Sequence, residues 1–179
     1  AYGRDIPPWD LAGLLTKIIH DVAGDYRIRL SSLEPLEVSD SLIELMQAST
    51  KICRHLHIPL QSGSDRVLTL MNRKYRRDYY RFLATSLADR LPGIAVTTDV
   101  MVGFPGESEK DFADTCNLLQ ELPVSSMHVF KYSLRRGTLA AVYPEQVGEE
   151  VKQKRSRILI ELGKRKEKEF MQSQVGKEL

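Results

Sequence analysis

Four short stretches carry the residue types that could do chemistry. They are Ser31-Ser32-Leu33-Glu34-Pro35, Gln61-Ser62-Gly63-Ser64, Val102-Gly103-Phe104-Pro105-Gly106-Glu107 and Tyr132-Ser133-Leu134-Arg135-Arg136-Gly137-Thr138. Their hydroxyls and amide suit a ribose, and their glycines let backbone approach a base closely. Their arginines suit a carboxylate or phosphate. Together they fit a nucleoside-like cofactor. Simpler readings stand beside this one. Gly103 and Gly106 also serve as turn glycines, and Glu107 as a first-turn carboxylate complementing a helix dipole, the role preferred for it here. His57 is either a satisfied core histidine, the preferred reading, or a catalytic one.

The elements that must position these loops are legible from periodicity. His55 to Gln61 alternates, with Leu56, Ile58 and Leu60 on one face and His55, His57, Pro59 and Gln61 on the other, which predicts a strand whose polar side faces a lumen. Ser62-Gly63-Ser64-Asp65 then offers N-cap candidates and exposed backbone N–H groups at the start of a helix carrying Val67, Leu68 and Met71. Further strands are predicted at Tyr26–Leu30, Ile94–Gly103 and Met127–Ser133. Helices are predicted over Leu11–Val22 behind an Asp10 cap, after a Ser41-x-x-Glu44 capping box, and through Phe82, Leu83, Leu87 and Leu91. Two more follow, one after a Ser108-x-x-Asp111 box packed through Phe112, Leu119 and Leu122, and a basic one after Val147. Parallel strands need crossovers long enough to return across the sheet, so strands alternating with helices predict an α/β fold. Ligands of such folds collect at the carboxyl ends of the strands, where the four loops fall. Ala1-Tyr2-Gly3-Arg4-Asp5 reads as the loop after a further strand, and four curved strands leave an edge unpaired. The expectation is a piece of a longer protein, with self-association through that edge.

Composition agrees with a globular domain: 179 residues, 42% hydrophobic and 28% charged, with a net charge of +2. Lys152, Lys154, Arg155, Arg157, Lys164, Arg165, Lys166 and Lys168 crowd the C-terminal region. They are read as a solvated helix face interleaved with Glu161, Glu167 and Glu169, the other reading being a surface for RNA phosphates. No apolar run spans a membrane and no signal-like segment opens the chain, so a cytoplasmic setting is expected. Cys53 and Cys116 lie far apart and read as small buried hydrophobes, so no metal ligand is assigned.

Four ordered segments resemble the radical S-adenosylmethionine (SAM) methylthiotransferases: His55 to Ser64, Met71 to Tyr75, Thr98 to Glu107 and His128 to Thr138. Tyr2-Gly3-Arg4-Asp5 is similar to the family's loop after its second barrel strand. Arg27 to Pro35 and the tail from Gln146 to Leu162 look most like the branch acting on threonylcarbamoyladenosine at position 37 of tRNA. The resemblance implies a partial six-stranded (β/α) barrel over 1–144. It implies that 145–179 is a basic helix leading toward an RNA-binding β-domain. It also implies SAM and two 4Fe–4S clusters as cofactors, with tRNA and a reductant protein as partners. The family holds its radical cluster with a Cys-x-x-x-Cys-x-x-Cys motif, which this sequence lacks. The chain alone is therefore expected to be inactive and to bind no cofactor tightly. On the cofactor side the resemblance places Tyr2 and Gly3 near the methionine amino group, and Gln61 and Ser62 near the ribose or methionine, with Ser31 a further SAM-binding residue. It places Gly103, Phe104, Phe130 and Tyr132 beside the adenine, and Arg73 and Arg135 near the carboxylate or RNA. The sister branches, acting on isopentenyladenosine in tRNA or on a ribosomal protein aspartate, share the barrel motifs. A non-catalytic RNA-binding module is the rival of another class.

Overall fold

The structure, a computed structural model, describes residues 10–177. Strands β1 (His55–His57), β2 (Ala95–Val102) and β3 (Ser126–Lys131) form a parallel sheet in the order β1-β2-β3, with His57 opposite Thr97 and Asp99 opposite His128. On β2, Val96, Thr98, Val100 and Val102 are buried beneath helices, while Thr97, Asp99 and Met101 lie half-buried on the other face. The sheet is open, as a partial barrel is.

Two of the predicted strands are interrupted, each by one extra residue. Segment 28–32 runs parallel to the chain before and through β1, but only through isolated bridges, Ile28 to Ile52 and Ser32 to His57. Four residues separate those bridges on one side and five on the other, so a continuous ladder cannot form. β1 stops at His57 for the same reason. Gln61 pairs with Val100, one residue out of step with the His57–Thr97 pair. Within the offset Pro59 has no N–H, and the Leu60 N–H is met by the Thr98 hydroxyl at 2.9 Å rather than by a carbonyl. On the polar side of this segment His55, Pro59 and Gln61 are buried and His57 is half-exposed; Gln61 and His55 each line a cavity.

The helices follow local rules with two exceptions. Asp10 caps α1 (Leu11–Asp21), accepting the Gly13 N–H at 2.7 Å. α2 (Asp40–Ala48) is capped by Ser39, not Ser41. Ser39 Oγ accepts the Leu42 N–H at 3.2 Å, and Ser41 bonds Ser39 instead. α3 (Asp65–Leu70) starts at Ser64 as expected. On α4 (Arg77–Arg90) the buried stripe is Tyr80, Leu83, Ala84 and Leu87, whereas Phe82 is 70% exposed. Tyr80 takes the core position three residues before Leu83, its hydroxyl donating to Ile58 O at 2.7 Å. α5 (Glu109–Glu121) has the full capping box of Ser108 and Asp111. A short α6 (Leu139–Val142) interrupts the loop after β3, and α7 (Glu149–Gln174) closes the fold.

α7 is not a uniformly solvated basic face. Arg155, Leu159 and Leu162 are buried, and Gly163 sits so close to β3 that a Cβ there would lie 2.9 Å from the Met127 side chain. Lys152 donates to Tyr132 O at 3.2 Å, and Lys166 donates to Leu122 O at 2.8 Å. Three of the eight clustered cations thus serve packing, each bonded to a carbonyl at an end of the sheet or of α5.

Candidate functional site

Because the strands are parallel, their carboxyl ends share one edge of the sheet, and the loops expected to bind ligand gather there. Gln61, Arg73 and Phe104 line one cavity of about 290 Å³, completed by Met71, Met101 and Tyr143. Gln61 reaches it from a left-handed backbone conformation, φ 66°. Non-glycine residues seldom adopt that conformation, and strain of this kind concentrates where a side chain must be aimed. Its main chain is held on both sides, Gln61 N–H to Asp99 O at 2.8 Å and Met101 N–H to Gln61 O at 2.9 Å. Arg73 is anchored by Glu34 at 2.8 Å. Phe104 stacks edge-on against Tyr132 and Tyr143, with centroids 5.4 and 6.3 Å apart.

Other expected site residues lie around this cavity rather than in its wall. Tyr132 is buried behind Phe104, its hydroxyl without a partner among the described residues. Gly103 has φ 72°, and a Cβ there would lie 2.3 Å from Lys152 Cγ, so the turn needs glycine. Ser62 is wholly buried, its Oγ 3.4 Å from the Thr115 hydroxyl. The N–H groups expected to be exposed at this turn are used internally: Gly63 N–H donates to Thr115 Oγ1 at 2.9 Å and Ser64 N–H to Ser62 Oγ at 3.2 Å. Ser31, Phe130 and Arg135 are exposed. Tyr2 and Gly3 lie outside the described residues.

Two buried charges brace the loop that carries Phe104. Glu107 accepts the Gly103 N–H at 2.7 Å and pairs with Arg155 at 2.7 Å, with both side chains almost fully enclosed. Burial pushes its carboxyl upward, against the pull of the Gly103 N–H and of Arg155. Its role is structural, as expected, but through a buried ion pair rather than a helix dipole. Asp111 receives bonds from Ser64, Ser108 and Arg66, and Arg66 also reaches Gly106 O. Burial alone would raise the Asp111 carboxyl. The Arg66, Ser108 and Ser64 donors outweigh it and hold the group well below the usual carboxylate range.

The half-buried face of the sheet joins His57 to Asp99 and His128, neither of which was singled out in the sequence. Asp99 Oδ2 lies 3.3 Å from His57 Nε2, and Asp99 Oδ1 lies 3.3 Å from His128 Nδ1. His57 Nδ1 is 2.9 Å from Thr97 Oγ1, which also meets His55 Nε2 at 3.2 Å. The period-two alternation of β2 was the available signal for Asp99, since it pairs Thr97 with Asp99 on one face. A larger cavity of about 790 Å³ opens at the opposite, amino-terminal end of the strands, beside Arg29, Arg54, His55 and Phe170. None of the expected ligand loops reaches it.

The two thiols do not make up the set of cysteine thiolates that holds an iron–sulfur cluster. Burial, with Glu107 nearby, pushes the Cys116 thiol up to about 11. Cys53 precedes β1 and Cys116 lies on α5, both half-buried.

Residues 5–119 match the family model described as the radical SAM superfamily. The chain is 46% identical over 169 residues to "Threonylcarbamoyladenosine tRNA methylthiotransferase MtaB" of Bacillus subtilis, covering 94% of this chain and 38% of that protein. It is 42% identical over 177 residues to "tRNA-2-methylthio-N(6)-dimethylallyladenosine synthase" of Acetivibrio thermocellus, covering 99% of this chain and 37% of that one. The chain thus spans well under half the length of these relatives. Among solved structures, Methanocaldococcus infernus Elp3 with an N-terminal deletion superposes with a TM-score of 0.52 at 18% identity. That match covers 64% of this chain and 26% of the other, a likeness of fold. With the parallel sheet and its loop cluster in place, the family match establishes that the chain belongs to the radical SAM superfamily.

Proposed function

We propose that this chain is the carboxyl-side part of the SAM-binding barrel of a tRNA methylthiotransferase, whose whole protein modifies C2 of N6-threonylcarbamoyladenosine at position 37. The observation that carries the reading is the convergence of Gln61, Arg73 and Phe104 on one cavity at the carboxyl edge of the sheet. An amide, a guanidinium and an aromatic face are the groups a nucleoside bearing a carboxylate requires. When bound, SAM supplies the methyl group and the radical chemistry. This chain's residues bind and orient it: Gln61 and Arg73 hold its polar end, and Phe104, braced by Tyr132, packs against the base. Gly103 keeps the loop close, Ser62 fixes the turn from behind, and Ser31, Phe130 and Arg135, all exposed, are proposed as outer contacts; Tyr2 and Gly3 are proposed for the methionine amino group by resemblance alone.

The two 4Fe–4S clusters belong to parts of the protein carrying the cysteine motifs, and the chain by itself is inactive on this reading. Calorimetry showing micromolar SAM affinity for this chain alone would overturn that part. tRNA, a reductant protein and a cytoplasmic setting accompany the proposal. The second reading, dimethylallyladenosine as substrate, is favoured by the name of the 42% identical relative. The RNA-module alternative is weakened by the burial of Arg155 and the packing of Lys152 and Lys166. Expression of the whole parent in a strain lacking both tRNA methylthiotransferase activities separates the substrates by mass spectrometry of tRNA nucleosides. The proposal expects the methylthio mark on threonylcarbamoyladenosine. A mark confined to dimethylallyladenosine, or to a ribosomal protein, would refute it.

A further inference from the structure

We propose that the open face of the sheet carries a site for one first-row divalent cation, held by His57, Asp99 and His128. The register brings them together. Asp99 and His128 are direct partners across β2 and β3, and His57 is the partner of Thr97, two residues before Asp99 on the same face. The three residues present ligand atoms that all lie within 4.8 Å of one another.

The two histidine–carboxylate separations are each 3.3 Å, to different oxygens: His57 Nε2 faces Asp99 Oδ2, and His128 Nδ1 faces Asp99 Oδ1. A tetrahedral centre with bonds of about 2.0–2.1 Å to nitrogen and oxygen has edges of about 3.3–3.4 Å, so side-chain rotation alone would draw ligand atoms that lie within 4.8 Å of one another around one ion. The surroundings also orient one ligand. Thr97 Oγ1 sits 2.9 Å from His57 Nδ1, and Thr97 can in turn donate to His55 Nε2 at 3.2 Å. A proton on His57 Nδ1 would satisfy Thr97 and leave Nε2, 3.3 Å from Asp99 Oδ2, unprotonated and able to take a cation. Holding the outer ring nitrogen in this way is how proteins fix a metal-binding tautomer. Two imidazoles and one carboxylate suit Zn²⁺, Co²⁺, Fe²⁺ or Ni²⁺, and not the thiolate-bound clusters of the family. His128, 78% exposed at its side chain, leaves the remaining position open to water or a ligand atom.

The test titrates the metal-free chain with zinc chloride by calorimetry, and with cobalt chloride while following visible absorption. One ion per chain at micromolar Kd is expected, with a four- or five-coordinate cobalt band. His57→Ala, Asp99→Asn and His128→Ala should each weaken binding at least ten-fold. His20→Ala, on the exposed end of α1, should leave it unchanged. His128→Ala decides the matter should either inner variant lose its native circular dichroism, because His128 is mostly exposed. Zinc binding weaker than millimolar, or parent-like binding by His128→Ala, would overturn the site and leave a hydrogen-bonded His–Asp–His group.

Discussion

Replacing Arg155 with methionine removes the one cation enclosed beside Glu107 among the described residues. The guanidinium donates to Glu107 Oε2 at 2.7 Å, to Glu107 O at 3.0 Å and to Glu109 at 2.8 Å, but Glu109 is 81% exposed and contributes little. Side-chain exposures of 5% and 1% make the Glu107 arm the one that matters. Truncation leaves a buried carboxylate with the Gly103 N–H as its remaining partner, and such orphaned charges cost about 3–5 kcal/mol. Against a urea m-value of about 2 kcal/mol/M, the unfolding midpoint at pH 8 should fall by about 1.5–2.5 M. The loss should shrink toward pH 5. Burial already pushes the Glu107 carboxyl upward, and protonation relieves about 1.4 kcal/mol for each unit between its value and the pH. The double variant Glu107→Gln/Arg155→Met should recover to within about 1–2 kcal/mol of the parent, because no buried charge is left unpaired. Urea unfolding followed by circular dichroism at both pH values measures all of this. A single-variant cost below 1 kcal/mol, or a double variant equal to the sum of the singles, would refute the reasoning.

Further outcomes follow from the same geometry. Asp111 has a folded value below its unfolded one of about 3.9, so its stabilisation is fully present above that value and is lost as the pH falls from there through the lower folded value. Asp111→Asn should therefore lower stability at pH 7 by about 1–3 kcal/mol and flatten the decline between pH 5 and 2, read as urea midpoints against pH. An unchanged acid slope would contradict the assigned donors. Gly63→Ala should destabilise by about 1–3 kcal/mol in the same assay, since its Cβ would sit 2.6 Å from Thr115 Cα and push the loop off α5. Phe82→Ser should change stability by no more than about 0.5 kcal/mol, whereas a core phenylalanine would cost several times that.

What was legible in the sequence was local. The Ser108–Asp111 capping box and the Asp10 cap depend on side chains a turn away from the backbone they bond, so spacing alone reveals them. The interrupted strands were hidden because one extra residue between His57 and Gln61 leaves apolar alternation intact in the sequence while shifting the ladder. Phe82 is apolar but lies off the stripe through Tyr80, Leu83 and Leu87, and a tyrosine carrying a hydrogen-bonded hydroxyl occupies the core instead. Arg155 was lost among eight clustered cations, because its partner Glu107 is far away in sequence. The cavity residues Gln61, Arg73 and Phe104 were found through the family motifs. The His57–Asp99–His128 group needed the strand register, which no spacing within the sequence encodes.

The cavity at the carboxyl edge of the sheet is proposed above as the SAM side of a methylthiotransferase barrel. Gln61→Gly tests it directly, because glycine accepts φ 66° without strain and the substitution removes only the amide side chain. Equilibrium binding of SAM to the whole, cluster-loaded protein should weaken at least ten-fold in this variant, while its unfolding midpoint stays at or slightly above the parent's. SAM affinity equal to the parent's, in a variant of unchanged stability, would contradict the account.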